Sequence, residues 1–373
     1  MARRLLAHRF LPLACLVAAC GLAPGCGDTR AEVDGEVPET DAGTMLPPDV
    51  DGGTPPPEDG GSMERDASTM PTGPRVDPTC IDGMYTESLP APDADISDLV
   101  AGYDPGDPTA FIEAVLSRRY GTGLELVVEG DSSRDCVDTF LRETGTAQDV
   151  IEQLPTVVHE CGHFYDNALS DFGSNTYAIN DTPLQISCAM GDSTDRGGQT
   201  FARSRIRDDA YAELRPPCDG TFGSGCDFYA DIYLDGDPDD GTFDGGDQGF
   251  NMLFEEVVQY VNSIATAYAF TGELDTGGST SQRDGILTFL WYLTRYLRMA
   301  RLDYPSAYTH LLEGDGGCWR DLILTVWGRA WLYLDTTMGM GHLGIADAEL
   351  MTLVTDPDLL AEIQRLRDAA SCP

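Results

Sequence analysis

The stretch TVVHECGHFYD, Thr156 to Asp166, places two of the chain's five histidines four residues apart, with a glutamate directly after the first. It lies inside TAQDVIEQLPTVVHECGHFYDNAL, which is apolar at helical spacing, and Pro155 is expected to start or kink the segment that bears the histidines. On a helix, residues four apart lie about 40° apart around the axis, so His159 and His163 can aim a ring nitrogen at one cation. Glu160, about 60° from His163, is placed to reach a water at that cation without binding the cation itself. Cys161 falls on the far side, about 200° from His159, so it belongs to the core or to a disulfide. Chance assembles such a triplet in roughly 0.3% of chains of this composition, which favours a catalytic metal helix over a structural histidine pair.

A catalytic zinc takes three protein ligands and leaves one position open. The third is sought first in NMLFEEVVQYVNSIAT, where Asn251, Glu255, Gln259, Asn262 and Thr266 fall in one narrow stripe. Leu253, Phe254, Val257, Val258, Val261 and Ile264 cover the other side. A carboxylate among amides on an otherwise apolar helix suits a ligand with hydrogen-bonded support, so the wheel prefers Glu255. Glu256, at the edge of the stripe beside Tyr260 and Ser263, is its rival, and a solvent-facing stripe is the plain alternative. His310 and His342 remain available as ligands in principle.

These residues carry a resemblance. His159, Glu160 and His163, followed much later by Glu255 with Gln259 one turn on, resemble the zincin metallopeptidases of the gluzincin type. HECGHFYD is similar to the active helix of the lethal-factor-like branch, with a Gly before the second His and an Asp after it. The resemblance implies a zincin-like domain, zinc held by His159, His163 and Glu255, and Glu160 as general base. It covers two helices, and the gap between them is longer than in the simplest gluzincins. The metzincin continuation is absent, with Asp166 and Leu169 at its next positions. GTFD, Gly241 to Asp244, is similar to the start of the aspzincin third-ligand motif and leaves Asp244 as a further alternative.

In the mechanism that such a site implies, Glu160 takes a proton from the attacking water and hands it to the leaving amine. An oxyanion donor is expected from Tyr260, Tyr308 or His310. Neither G-x-S-x-G nor a Walker pattern competes. The expected activity is that of a zinc endopeptidase on protein or peptide substrates. The alternatives are a zincin-fold binding lipoprotein without turnover and a zinc hydrolase of a non-peptide wall component.

The rest of the chain bounds where such a domain works. A net charge of -40 over 373 residues repels phosphate backbones and anionic membrane surfaces, so nucleic acid is not an expected partner. MARRLLAHRFLPLACLVAACG has a basic start and an apolar run too short to span a bilayer, the layout of an export signal. Val17, Ala18, Ala19 and Cys20 resemble a bacterial lipobox. That implies a signal peptide over residues 1–19 and a lipid anchor at Cys20 as the sole membrane contact, on an outer-membrane lipoprotein or a cell-surface or extracellular protein. Cleavage by an ordinary signal peptidase near Gly25 is the alternative. Residues 20–78, rich in Pro, Gly, Asp and Thr, read as a disordered tether, and residues 79–373 as one folded, monomeric domain.

Eight later cysteines in an oxidising compartment predict up to four disulfides, and a Gly-rich loop places Cys218 and Cys226 for pairing. The loop DGDPDDGTFDGGDQG, Asp235 to Gly249, alternates aspartates as an EF-hand does. It lacks the Gly at six and the Glu at twelve, which leaves Ca2+ as a second candidate ion beside Zn2+. Locally, a helix is predicted from Asp107, a strand over Gly123–Gly130, a hairpin around Asn180 and Asp181, and long helices in the C-terminal half. The fold class is α+β, helix-dominated toward the C-terminus.

Overall fold

The computed structural model describes residues 74–191, 201–216, 226–234, 248–275 and 281–372. The export signal, Cys20, Cys218, Asp244 and almost all of the acidic loop lie outside the described residues. The described part is mostly helical with one antiparallel two-stranded sheet, an α+β arrangement. It comprises α1 (Pro108–Arg119), α2 (Gly121–Arg134), α3 (Cys136–Phe140), α4 (Ala147–Leu169), β1 (Ser174–Asn180), β2 (Leu184–Ala189), α5 (Phe228–Tyr233), α6 (Phe250–Ala269), α7 (Gln282–Asp303), α8 (Pro305–Glu313), α9 (Cys318–Thr336) and α10 (Pro357–Ala369), with further short helical segments before and between them. None of the helices among the described residues is long and apolar enough to cross a membrane.

The helix that bears the histidines, α4, begins at a capping box. Thr146 Oγ1 accepts from the Asp149 N–H at 3.2 Å while Asp149 Oδ2 accepts from the Thr146 N–H at 2.8 Å. Pro155 lies inside this helix rather than at its start. Its missing N–H leaves the Ile151 carbonyl without its usual partner, yet the helix continues because both of its faces are packed. One side meets α2 and α3, the other meets α6 and β1.

The strand expected over Gly123–Gly130 is corrected: these residues belong to α2. Gly123, Leu126, Val127 and Gly130 are buried, whereas Val128 is exposed. That is helical spacing in which two contact positions are glycines, so an apolar count misses it. The small residue at 130 is required by close packing, since a Cβ there would lie 2.2 Å from the Cys161 carbonyl oxygen on α4. Cys161 is also bonded to Cys136 of α3, which agrees with its placement on the side of α4 away from the histidines.

The expected hairpin forms, with Ser174 opposite Ala189 and Tyr177 opposite Ile186. β1 is tied to the end of α4 by the Ala178 N–H, which donates to Asp166 Oδ1 at 2.7 Å. A disulfide from Cys188 to Cys318 fastens β2 to the start of α9. The centre of the fold is α6, which packs against α4, α7 and α9; Trp291 of α7 and Trp319, Trp327 and Trp331 of α9 are all buried.

The tether was expected to reach residue 78, but the folded body already includes residues 74–78. Arg367 on α10 donates to the carbonyls of Pro74 and Arg75, and the Trp327 indole donates to Arg75 as well. Cys80 and Cys372 then join the two ends of the body covalently.

Substituting Gly130 by Ala tests the close contact between α2 and α4. Ala raises helix propensity by about 0.8–1 kcal/mol, but the clash is with backbone and cannot be relieved by a rotamer change. A net loss of roughly 1–3 kcal/mol is expected in a denaturant titration; a stabilised variant would refute the contact.

Candidate metal centre

Two helices build the centre, α4 with His159, Glu160 and His163 and α6 with Glu255, Glu256 and Ser263. The imidazoles are oriented from behind. His159 Nδ1 lies 3.0 Å from Ser263 Oγ, and Ser263 donates its own proton to the Pro155 carbonyl at 3.2 Å. The hydroxyl therefore accepts from Nδ1–H, and the Nε2 lone pair faces the centre. His163 Nδ1 lies 3.1 Å from Glu255 Oε1, which turns its Nε2 the same way.

The two Nε2 atoms stand 3.1 Å apart. Glu256 Oε2 lies 3.4 Å from that of His159 and 3.6 Å from that of His163, and this oxygen is buried without a hydrogen-bond partner. Ligands at about 2.0–2.1 Å from a tetrahedral ion stand about 3.3–3.4 Å from one another, so the three edges fit one metal of zinc size. Two imidazoles and one carboxylate are also a donor set that zinc accepts with an open fourth position. Among the described residues this is the one cluster of at least three such side chains within range of a single ion.

The geometry thus brings Glu256, not the expected Glu255, to the two Nε2 atoms, and Glu255 to Nδ1 of His163. The stripe of Asn251, Glu255, Gln259, Asn262 and Thr266 does not face solvent, and all but Glu255 are fully buried in it. It forms a hydrogen-bonded layer behind the centre, where Gln259 Nε2 donates to Glu255 Oε1 at 3.1 Å and to Asp166 Oδ2 at 2.9 Å. The wheel located this supporting layer, while Glu256 at its edge reaches the histidine tips.

Charge in the centre follows from burial. Desolvation opposes ionisation of Glu256, but the His163 charge and close contacts with both rings outweigh it and hold its carboxyl well below the ordinary value. Burial likewise disfavours a charged His163, yet Glu256 and Glu255 raise its pKa well above normal. The pocket thus stabilises positive charge between the imidazoles and Glu256, the charge a divalent metal carries. Burial pushes the Glu160 carboxyl up; His159 and His163 pull against this, and Glu256 adds to it. Glu160 is 7% exposed, and no hydrogen bond to its carboxylate forms among the described residues.

Of the suggested oxyanion donors, Tyr260 is at the site, its ring edge-on to His159 with centroids 4.7 Å apart. Burial, with Tyr229 and Tyr233 nearby, pushes its phenol well up, so it keeps its proton. Tyr308 lies instead among Arg301, Glu362 and Arg365, and His310 packs at Gly191 and Gly314. His342 meets Thr271 Oγ1 at 3.0 Å. Ser263 and Asp166 carry roles that sequence reasoning did not assign. Ser263 stands seven residues after Glu256 and so on its face of α6, a spacing that could have revealed it.

No protein-family model matches the chain, and neither a curated protein nor a solved structure does. The geometry above therefore carries the functional reading.

A chelator-competition titration with zinc separates the two glutamates. Glu256→Gln, which removes a ligand, is expected to lose zinc binding; Glu255→Gln, which alters only the support of His163, is expected to weaken it by about 10–100-fold. The opposite ranking would restore Glu255 as the ligand.

Proposed function

We propose that the protein is an exported zinc-dependent endopeptidase of the zincin type. In this reading His159, His163 and Glu256 hold the metal and Glu160 is the general base. The observation that carries it is a buried glutamate without a hydrogen-bond partner among the described residues, next in sequence to one of three side chains whose donor atoms stand at tetrahedral spacing. A purely structural metal has no need of such a base.

Bound there, zinc supplies Lewis acidity toward a carbonyl oxygen and makes a water proton easier to remove. Glu160 removes that proton and later delivers it to the leaving amine nitrogen. Its burial favours the first half of the cycle, because a carboxylate stripped of water binds a proton more readily than one in solution. Ser263 and Glu255 keep the two imidazoles turned toward the metal throughout. Tyr260, protonated and with its ring beside His159, is the nearest of the suggested donors for the negative charge that develops on the substrate oxygen, once its hydroxyl turns from Tyr233.

The disulfides support an oxidising compartment. Cys80 with Cys372, Cys136 with Cys161 and Cys188 with Cys318 are paired, and Cys226 is also disulfide-bonded. The reading includes a lipid anchor at Cys20, joined to the folded body by the tether.

The test compares wild type with Glu160→Gln for zinc content and for cleavage of a casein-type substrate, before and after removal and return of the metal. One zinc per chain is expected in both, with activity lower by at least about 10²–10⁴-fold in the variant. Chelation should abolish wild-type cleavage and zinc restore it. Zinc in both proteins without cleavage by either would overturn the peptidase reading and leave the metal centre standing.

A further inference from the structure

Behind the centre runs a chain of hydrogen bonds whose direction is set at its far end. Arg329 of α9 is fully buried and carries only donors. Its NH1 donates to Asn262 Oδ1 at 2.8 Å, its NH2 to the Tyr120 hydroxyl at 3.0 Å, and its Nε to Glu87 Oε2 at 3.0 Å. A guanidinium on one side of Asn262 demands the amide oxygen there, so the NH2 group must face the other way. It does, donating to Gln259 Oε1 at 2.8 Å.

That contact in turn fixes Gln259. With its oxygen toward Asn262, its NH2 group faces Asp166 Oδ2 and Glu255 Oε1. Glu255 Oε1 therefore already receives a proton from an amide when it meets His163 Nδ1 at 3.1 Å. An oxygen so engaged accepts rather than donates, and the ring must supply Nδ1–H. The proton is held on Nδ1, and the Nε2 lone pair is left for the side of Glu256 and His159. The relay fits because residue 162 is glycine: a Cβ there would lie 2.0 Å from Gln259 Oε1.

We propose that Arg329 is a remote positioning residue of the metal centre, setting through Asn262 and Gln259 the polarity that keeps the His163 proton on Nδ1 and its Nε2 free for the metal. The inference rests on the reading of His159, His163 and Glu256 as metal ligands, but its polarity argument can be examined without metal. Arg329 touches neither the ligands nor any reacting atom.

Asn262→Asp is the discriminating change, because it keeps an acceptor for Arg329 in a side chain of nearly the same shape. It cannot donate to Gln259, so the Gln259 amide must reverse or lose its partner. In metal-free protein labelled with 15N-histidine, at a pH high enough to leave the His163 ring neutral, wild type should show its single proton on Nδ1, and the variant should move it toward Nε2 or lose the resonance to exchange. Zinc affinity by chelator competition should fall by about 10–100-fold in the variant. Asn262→Ser, which can both accept from Arg329 and donate to Gln259, should restore most of both signals. Asn262→Leu provides the same test as the Asp variant should that one fail to fold, with melting curves confirming which variants are folded. A His163 tautomer unchanged in every folded variant would overturn the relay. A tautomer that moves as expected in a wild-type background that binds no zinc would uphold the relay and overturn the metal reading.

Discussion

At Gly162 the absence of a side chain on α4 lets the Gln259 amide of α6 enter the space a Cβ would fill, and the register between the two helices follows from that contact. With Gln259 lodged there, Glu255 and Glu256 straddle His163, one at Nδ1 and the other near Nε2. Ser263, two turns further along α6, reaches His159. A slide of α6 by one residue would exchange the two glutamates and remove Ser263 from its imidazole, since neighbouring positions on a helix differ by about 100°. The juxtaposition of these side chains is thus a consequence of helix packing, and the packing depends on one position that holds no side chain.

The buried charge imposes a second constraint. His163, Glu255, Glu256 and Asp166 crowd one small volume, and burial drives the Asp166 carboxyl well above its ordinary value, with the nearby Glu255 adding to the effect. Leaving such groups unpaired in a protein interior costs several kcal/mol each. Donors reach both Asp166 oxygens, from Ala178 and Gln259, and Glu255 Oε1, from Gln259. Glu256 Oε2 is buried without one, and it is the oxygen aimed between the two imidazoles.

The motif on α4 was legible because its chemistry is local: helical spacing alone puts His159, Glu160 and His163 on one side and Cys161 on the other. The hairpin and the long C-terminal helices were legible from turn residues and apolar period for the same reason. Two readings failed where a contact across the fold decides. In α2 the buried positions include Gly123 and Gly130, so the face that packs on α4 carries too few apolar side chains to announce itself. In α6 the polar stripe pointed to Glu255, because a helical wheel records which residues share a face but not which neighbour that face meets. Arg329 stands far along the chain from the residues it orders, and no spacing rule connects them.

The helix that bears the histidines, α4, is secured from opposite sides by different means. Toward α6 it is held by polar contacts that have direction, from Ser263 at the Pro155 carbonyl and His159 to Gln259 at Asp166 near its end, where β1 also attaches. Toward α2 and α3 it is held by the Cys136–Cys161 disulfide and by the backbone approach at Gly130, neither of which depends on protonation. Cys161 lies between the two histidines in sequence yet opposite them in space, so the covalent restraint acts at the level of the imidazoles without touching them. A helix that carries an internal proline, with one backbone hydrogen bond already missing, has more need than most of such fixing. The disulfide limits how far α4 can shift, and the polar layer determines which way its imidazoles point.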